Sequence, residues 1–162
     1  MNQKVIIYAD GGCSGNQFAE NFGGWGAVLI GQYSSGEEIL RKEIFGSATN
    51  TTNNIMELTA PTEALKKLKR TDMPIEIYLD SNYVYQGMTE WIKGWKARGW
   101  RKSNKKPVEN VELWKALDEQ VQRFDKVMFF KVQAHIGITL NELADTLANR
   151  GIEEAKRGVP NA

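Results

Sequence analysis

Two apolar runs that each end in an aspartate constrain the fold of this chain more than any other feature. Val5–Ala9 leads directly into Asp10, and the alternating run Ile75–Leu79 leads directly into Asp80. A short run that is apolar on both faces is typical of a strand in the middle of a sheet. If the two strands are parallel neighbours, they lie about 4.8 Å apart. Both aspartates then reach the sheet edge at which open α/β folds bind ligands.

The other predicted elements complete an α/β fold built on a mixed sheet. Three further strands are predicted, over Gly23–Gln32, Glu37–Phe45 and Val127–Val132. Helical spacing of apolar residues predicts four helices, over Asn54–Lys69, from Ser81 to Ile92, from Trp114 to Phe124 and from Leu140 to Ala148. The first three strands form an antiparallel meander, and the later ones alternate with helices. Pro61 is expected to kink the first helix or to delay its start.

Two more acidic residues occupy positions that are costly for a charge. Glu57 falls on the core-facing stripe of its predicted helix, and Asp145 lies beside the apolar stripe of the last helix. Crowded carboxylates repel one another, and a divalent cation relieves the repulsion. Oxygen ligands favour Mg²⁺ or Mn²⁺, whereas one histidine and one cysteine cannot form a structural zinc site.

Each of these acids also has a plain structural interpretation. Asp10 before two glycines is compatible with a stabilised turn, and Asp80 with a favourable charge at a helix N-terminus. Glu57 is compatible with a buried ion pair, and Asp145 with an ordinary surface acid. The residues alone leave these alternatives open, and the four together are more specific than any one of them.

The positive charge of the chain is concentrated in one segment. Seven of the fourteen residues of Lys93–Lys106 are lysine or arginine and none is acidic, so the rest of the chain carries −6 against a total of +1. Trp95 and Trp100 lie inside this basic segment, and Trp91 lies just before it. Cations interleaved with aromatic rings are typical of nucleic-acid surfaces. The alternative is a solvated helix end whose tryptophans pack inward.

The length of 162 residues corresponds to one domain. We expect a single catalytic domain over residues 1–155 and a frayed tail over residues 156–162, since the sequence is polar after Gly151. Cys13 is the only cysteine, which excludes an internal disulfide. No apolar run approaches the roughly 20 residues of a membrane span, and no signal peptide is recognisable. We therefore expect a cytoplasmic monomer without a membrane or protein partner.

Several motifs, in this order and spacing, resemble type 1 ribonuclease H, the bacterial ribonuclease HI family. The resemblance spans about Val5–Gly151. Its pieces are Tyr8–Asn16 (YADGGCSGN), Thr51–Leu58 (TTNNIMEL), Leu79–Ser81, Trp91–Trp100, Lys106–Val108, Leu113–Trp114, Ala134–His135 and Asn141–Asp145 (NELAD). It implies the ribonuclease H-like fold, with a five-stranded mixed sheet flanked by helices. It also implies endonucleolytic cleavage of the RNA strand of RNA–DNA hybrids, with little sequence specificity.

The resemblance also assigns roles to individual residues. Asp10, Glu57, Asp80 and Asp145 match the family's metal-binding acids, which implies two Mg²⁺ ions, with Mn²⁺ as a substitute, and products with 5′-phosphate and 3′-hydroxyl ends. His135 matches a histidine thought to assist proton transfer or product release. The residues that match substrate contacts are Asn16, Thr52, Asn54, Asn82, Trp91, Trp95, Lys96, Arg98, Trp100, Arg101 and Asn141.

Several positions depart from the family pattern. Residues 17–22 replace a short Pro/Gly turn with a longer, partly aromatic loop, Asn82 and Gln133 stand where Gln and Lys are usual, and Gly94 replaces an asparagine of the phosphate pocket. Nothing in the sequence indicates an added N-terminal hybrid-binding domain. The competing functions are another nuclease or strand transferase of the same fold, a non-catalytic hybrid-binding module and a structural α/β domain.

Overall fold

The computed structural model describes residues 2–15, 20–132 and 139–158 and contains one five-stranded sheet. The strand order is β3-β2-β1-β4-β5. The strands are β1 (Gln3–Ser14), β2 (Phe22–Tyr33), β3 (Glu38–Thr49), β4 (Ile75–Leu79) and β5 (Val127–Lys131). The helices are α1 (Asn53–Lys66), α2 (Asn82–Gln86), α3 (Ile92–Ala97), α4 (Val111–Gln122) and α5 (Thr139–Lys156), with a π-helical turn over Gly87–Trp91 between α2 and α3.

The pairing of the strands confirms the predicted mixed sheet. β1, β2 and β3 form an antiparallel meander, while β4 and β5 add to β1 as parallel strands. Ala9 pairs with Leu79 in the parallel register, so the next residues, Asp10 and Asp80, emerge side by side. β1 does not end at Ala9, because its pairing with β2 continues through Asp10 to Ser14.

Helices cover the sheet on two faces. On one face, α1 and α4 bury a core that includes the fully buried Trp114 and Leu117 of α4. On the other face, α5 packs against β1, β2 and β3. Gly24 and Gly26 of β2 make this approach close, since a Cβ at either position would collide with the α5 backbone. The spacing between α5 and the sheet is thus set by contact between main chains.

Several predicted helix boundaries differ from the structure. α1 has no late start: the Thr52 side chain caps it, and it runs unbroken through Pro61, which is fully buried. Burial of the ring on the core face offsets part of the hydrogen bond that proline removes. The last helix continues past Gly151 to Lys156 because Ile152 and Ala155 still bury apolar surface.

In the part of the chain that the structure describes, no helix has both the length and the apolar character needed to cross a membrane.

Candidate active site

The centre of the site is formed where β1 lies directly against α1. The Gly11 N–H donates to Asp10 Oδ1 at 2.9 Å and to Glu57 Oε1 at 2.5 Å. A Cβ at Gly11 would collide with the α1 backbone at Met56 and Glu57. The missing side chain therefore lets the strand bring Asp10 beside Glu57, residues that are far apart in the sequence.

Both carboxyl groups of this pair are removed from water. Asp10 is 8% exposed and Glu57 is 6% exposed. Burial is the largest of the causes that raise the pKa of Asp10 to about 9; the neighbouring Glu57 and Asp145 act in the same direction, and the Gly11 N–H opposes them. Burial also raises the pKa of Glu57, while hydrogen bonds from its neighbours pull that pKa down. The pair therefore retains a proton at neutral pH when no cation is bound.

The other two acids lie at the rim of the same site. Asp80 follows β4, and its side chain is 49% exposed. Lys131, at the end of β5, donates from Nζ to the Asp80 carbonyl oxygen at 2.6 Å and lies 3.8 Å from Asp80 Oδ1. Asp145 is an exposed residue of α5 whose Oδ2 accepts from Asn149 Nδ2 at 3.4 Å, and it is near enough to raise the pKa of Asp10. Two elements from different parts of the chain, β4 and α5, therefore add acids to the Asp10–Glu57 pair.

All four acids line one open cavity of about 610 Å³. The same cavity is lined by Asn53, Asn54, Ser81, Asn82 and Asn149. Within residues 2–15, 20–132 and 139–158, however, no three His, Cys, Asp or Glu side chains stand close enough together to hold a metal ion. The carboxylate oxygens have the chemistry for a hard divalent cation, but they would have to move closer together to bind one. Asp80 and Asp145 are the exposed members of the four, so they are the acids with room to move.

The sequence-predicted substrate residues fall into several groups. Asn54 and Asn82 are exposed residues of the cavity wall. Thr52 is exposed, and its Oγ1 accepts from the Ile55 N–H at 3.1 Å, so its own hydroxyl proton is available to a ligand. Asn141 Oδ1 is buried and has no hydrogen-bond partner among the described residues. Asn16 and His135 lie outside the described residues.

The basic segment forms a second cavity of about 480 Å³ beside Trp91. It is lined by Glu90, Trp91, Gly94, Trp95, Arg98, Lys102 and Ser103. Trp91 is 37% exposed, whereas Trp95 is 9% exposed and its ring centre lies 5.1 Å from that of Trp114. The inward packing that was one interpretation of these tryptophans therefore describes Trp95, and Trp91 is the ring that this cavity offers to a ligand.

Several cations of the basic segment also stabilise its own fold. Lys96 forms an ion pair with Asp118 of α4 at 3.0 Å. Arg98 Nε donates to the Arg101 carbonyl oxygen at 3.0 Å, and Arg101 Nη1 donates to the Lys105 carbonyl oxygen at 3.1 Å. Trp100 adopts the left-handed backbone conformation at φ 64° and is half-buried. These contacts hold the segment as a defined, positively charged projection.

Sequence reasoning missed two residues next to the predicted ones. Lys131, beside Asp80, could have been predicted from the sequence, since the parallel register of β4 and β5 pairs Leu79 with Lys131. Asn21 binds the turn before α1 and had no sequence signal, because its partners lie about 30 residues away. Local patterns carry no information about a contact of that kind.

Comparison with known proteins gives one consistent answer. A family model described as RNase H matches residues 2–153. The chain is 50% identical over 150 residues to "Ribonuclease H" of Cupriavidus pinatubonensis, covering 93% of this chain and 96% of that protein. It is 48% identical over 155 residues to "Ribonuclease HI" of Pseudomonas aeruginosa, covering 96% of this chain and 97% of that protein.

Solved structures with the same fold include LC9-RNase H1 and LC11-RNase H1. LC9-RNase H1, described as a type 1 RNase H with the type 2 active-site motif, has a TM-score of 0.82 and 33% identity, covering 100% of this chain and 76% of that chain. LC11-RNase H1 in complex with an RNA/DNA hybrid has a TM-score of 0.65 and 24% identity, covering 94% of this chain and 99% of that chain. The second likeness concerns the fold alone.

Proposed function

This chain belongs to the type 1 ribonuclease H family, hydrolases that act on RNA in RNA–DNA hybrids, and we propose that it is an endonuclease using two divalent metal ions. The proposal includes products with 5′-phosphate and 3′-hydroxyl ends and little dependence on sequence. The observation that carries it is the single cavity lined by Asp10, Glu57, Asp80 and Asp145. A binding module without catalysis has no use for four acids facing a polyanion, because they repel phosphates.

The donor set fits Mg²⁺, with Mn²⁺ as a substitute. Four carboxylates would hold the ions, and the buried, proton-sharing pair Asp10–Glu57 is the kind of group that a cation stabilises on displacing the proton. When bound, the two ions would activate a water and stabilise the leaving 3′ oxygen in an in-line attack on an RNA phosphate.

The protein's own part in this chemistry is to hold the four acids in position. The Gly11 N–H holds the Asp10 and Glu57 carboxylates in a fixed relation. Lys131 fixes the backbone of Asp80 through its carbonyl oxygen, and α5 supplies Asp145 from the opposite face of the sheet. We propose that His135 assists proton transfer or product release, as in the family.

Recognition of the hybrid falls to amides and cations around the cavity. The amides of Asn16, Asn54 and Asn82 would read 2′-hydroxyls and base edges in the minor groove, which distinguishes RNA from DNA. Thr52 would bind a DNA phosphate and Asn141 would contact the substrate near the acids. Trp91 and the basic segment would bind the DNA backbone, and such contacts carry little sequence information.

We propose that the catalytic domain covers residues 1–155 with a tail over 156–162, and that the enzyme acts as a monomer in the cytoplasm. The one cysteine, Cys13, is a free thiol in the structure, which suits a reducing compartment.

A gel assay tests the proposed function. Equal amounts of RNA–DNA hybrid, duplex RNA and duplex DNA are offered with Mg²⁺ and with chelator. We expect cleavage of the RNA strand of the hybrid only, with Mg²⁺ only, and fragments whose 5′ ends carry phosphate. Cleavage of either homoduplex at a similar rate would favour another nuclease of this fold, and binding of the hybrid without cleavage would favour a binding module.

A further inference from the structure

Asn21, just before β2, binds the turn that connects β3 to α1. Its Nδ2 donates to the Thr51 carbonyl oxygen at 2.9 Å, and its Oδ1 accepts from the Thr51 N–H at 2.8 Å. Its own carbonyl oxygen accepts from the Asn50 N–H at 3.1 Å. Three hydrogen bonds therefore join one residue to two consecutive residues of the turn.

The turn needs these partners because its backbone has left the sheet. β3 ends at Thr49, Asn50 adopts the left-handed conformation at φ 52°, and Thr51 is buried. A buried N–H and C=O without partners are costly. The Asn21 side chain presents a donor and an acceptor as a peptide group does, so it extends the β2–β3 pairing by one residue beyond the end of the strand.

The residues that follow this turn face the substrate in the proposed function. Thr52 caps α1 with an extended backbone and is the proposed phosphate contact. Asn53 and Asn54, in the first turn of α1, line the cavity of the four acids. The position of all three depends on how the chain leaves Thr51, which Asn21 fixes.

We propose that Asn21 is a positioning residue for hybrid binding, acting through Thr52 and the first turn of α1. The inference rests on the proposed function. It also gives a role to one residue of the stretch in which this chain departs from the short turn of its family: Asn21 holds the turn before Thr52 in place.

Steady-state kinetics and a double-mutant cycle test this inference. The variants are Asn21→Ala, Thr52→Ala and their combination, with kcat and KM measured on a hybrid. The affinity for a labelled hybrid is measured in an Asp10→Asn background, so that the substrate is not cleaved. We expect Asn21→Ala to raise KM and the dissociation constant about tenfold and to change kcat by less than about twofold, since a tenfold loss corresponds to one or two hydrogen bonds. In the Thr52→Ala background the same change should weaken binding by less than about twofold.

Thr62→Val is the matched control. Thr62 Oγ1 donates to the Leu58 carbonyl oxygen at 2.9 Å inside α1 and is buried away from the turn. This variant is expected to lower the stability of the protein and to leave hybrid affinity unchanged, which separates positioning from stability. Asn21→Ser, which keeps a polar side chain, is the second variant if the alanine variant does not fold.

The outcomes separate the inference from the function beneath it. An Asn21 variant that is folded and binds the hybrid as tightly as the unmodified chain overturns the inference alone. Losses from Asn21→Ala and Thr52→Ala that multiply fully in the double variant also overturn it, because the two residues would then act independently. Failure of the unmodified chain to cleave a hybrid overturns both proposals.

Discussion

Asp10 is the residue at which catalysis and stability oppose each other. Its carboxylate is buried beside that of Glu57 and shares a cavity with two further acids. We predict that Asp10→Asn abolishes cleavage of the hybrid and raises the free energy of unfolding in chelator by about 1–2 kcal/mol, since asparagine keeps the shape and is neutral without taking up a proton on folding. Circular dichroism and urea denaturation with EDTA measure the second effect. Turnover equal to that of the unmodified chain would contradict the site.

The raised pKa of Asp10 predicts how the stability of the metal-free protein depends on pH. The folded pKa of about 9 lies above the ordinary value of 3.8, so the folded state keeps a proton that the unfolded state releases. The stabilising contribution is complete below pH 3.8 and is lost as the pH rises toward 9. In EDTA, the free energy of unfolding should therefore fall between pH 5.5 and 8.5, and Asp10→Asn should flatten this fall. A rise over that range would contradict the assigned cause.

At the scale of elements, the type and order of the strands and helices were predicted well from the sequence, and their boundaries less well. Strand patterns and the apolar stripes of α4 and α5 depend on neighbours along the chain, so they could be predicted directly from the sequence. β1 extends to Ser14 because β2 pairs with it, and α1 passes through Pro61 because its ring is buried. Both effects come from tertiary contacts, which a local pattern does not contain.

The π-helical turn Gly87–Trp91 shows a second limit of sequence reasoning. A spacing of 100° per residue placed Trp91 on the same apolar stripe as Val84 and Met88. A π-helical turn holds more residues than an α-helical one, so positions beyond it are rotated relative to that pattern. Trp91, the last residue of the turn, is 37% exposed, whereas Trp95 is buried. The acids of the site were easier to predict, because each follows or lies on a recognisable element.

Their different exposure gives the two tryptophans different expected roles. We predict that Trp91→Ala weakens hybrid binding roughly five- to tenfold, as loss of an aromatic contact does, with less than about 1 kcal/mol lost from stability. Trp95→Ala should instead lower the free energy of unfolding by about 3–5 kcal/mol, because it opens a cavity against Trp114. Fluorescence titration and urea denaturation measure the two quantities. A reversed pattern would mean that Trp95 is the ring that meets the substrate.

At the scale of the whole molecule, the separation of positive from negative charge determines how the protein binds a polyanion. The basic segment carries +7 and the remainder carries −6. We predict that replacing Lys96, Arg98 and Arg101 together with alanine weakens hybrid binding and makes the slope of log affinity against log salt shallower by about 2 to 3. Binding at several salt concentrations measures the slope, and Arg41→Ala, on β3 outside the basic segment, is the control. A slope that stays the same would place the phosphate contacts elsewhere.

The direct contact between the main chains of β2 and α5 limits which mutations this enzyme tolerates. Gly24 and Gly26 take no part in chemistry, yet the helix they support carries Asp145. A single methyl group added at either glycine is expected to push α5 away from the sheet and so to move Asp145 away from the other three acids. Substitution of a residue with no reactive atom is thus expected to reduce activity by moving Asp145, and measuring the displacement of α5 distinguishes such a variant from one that alters a carboxylate.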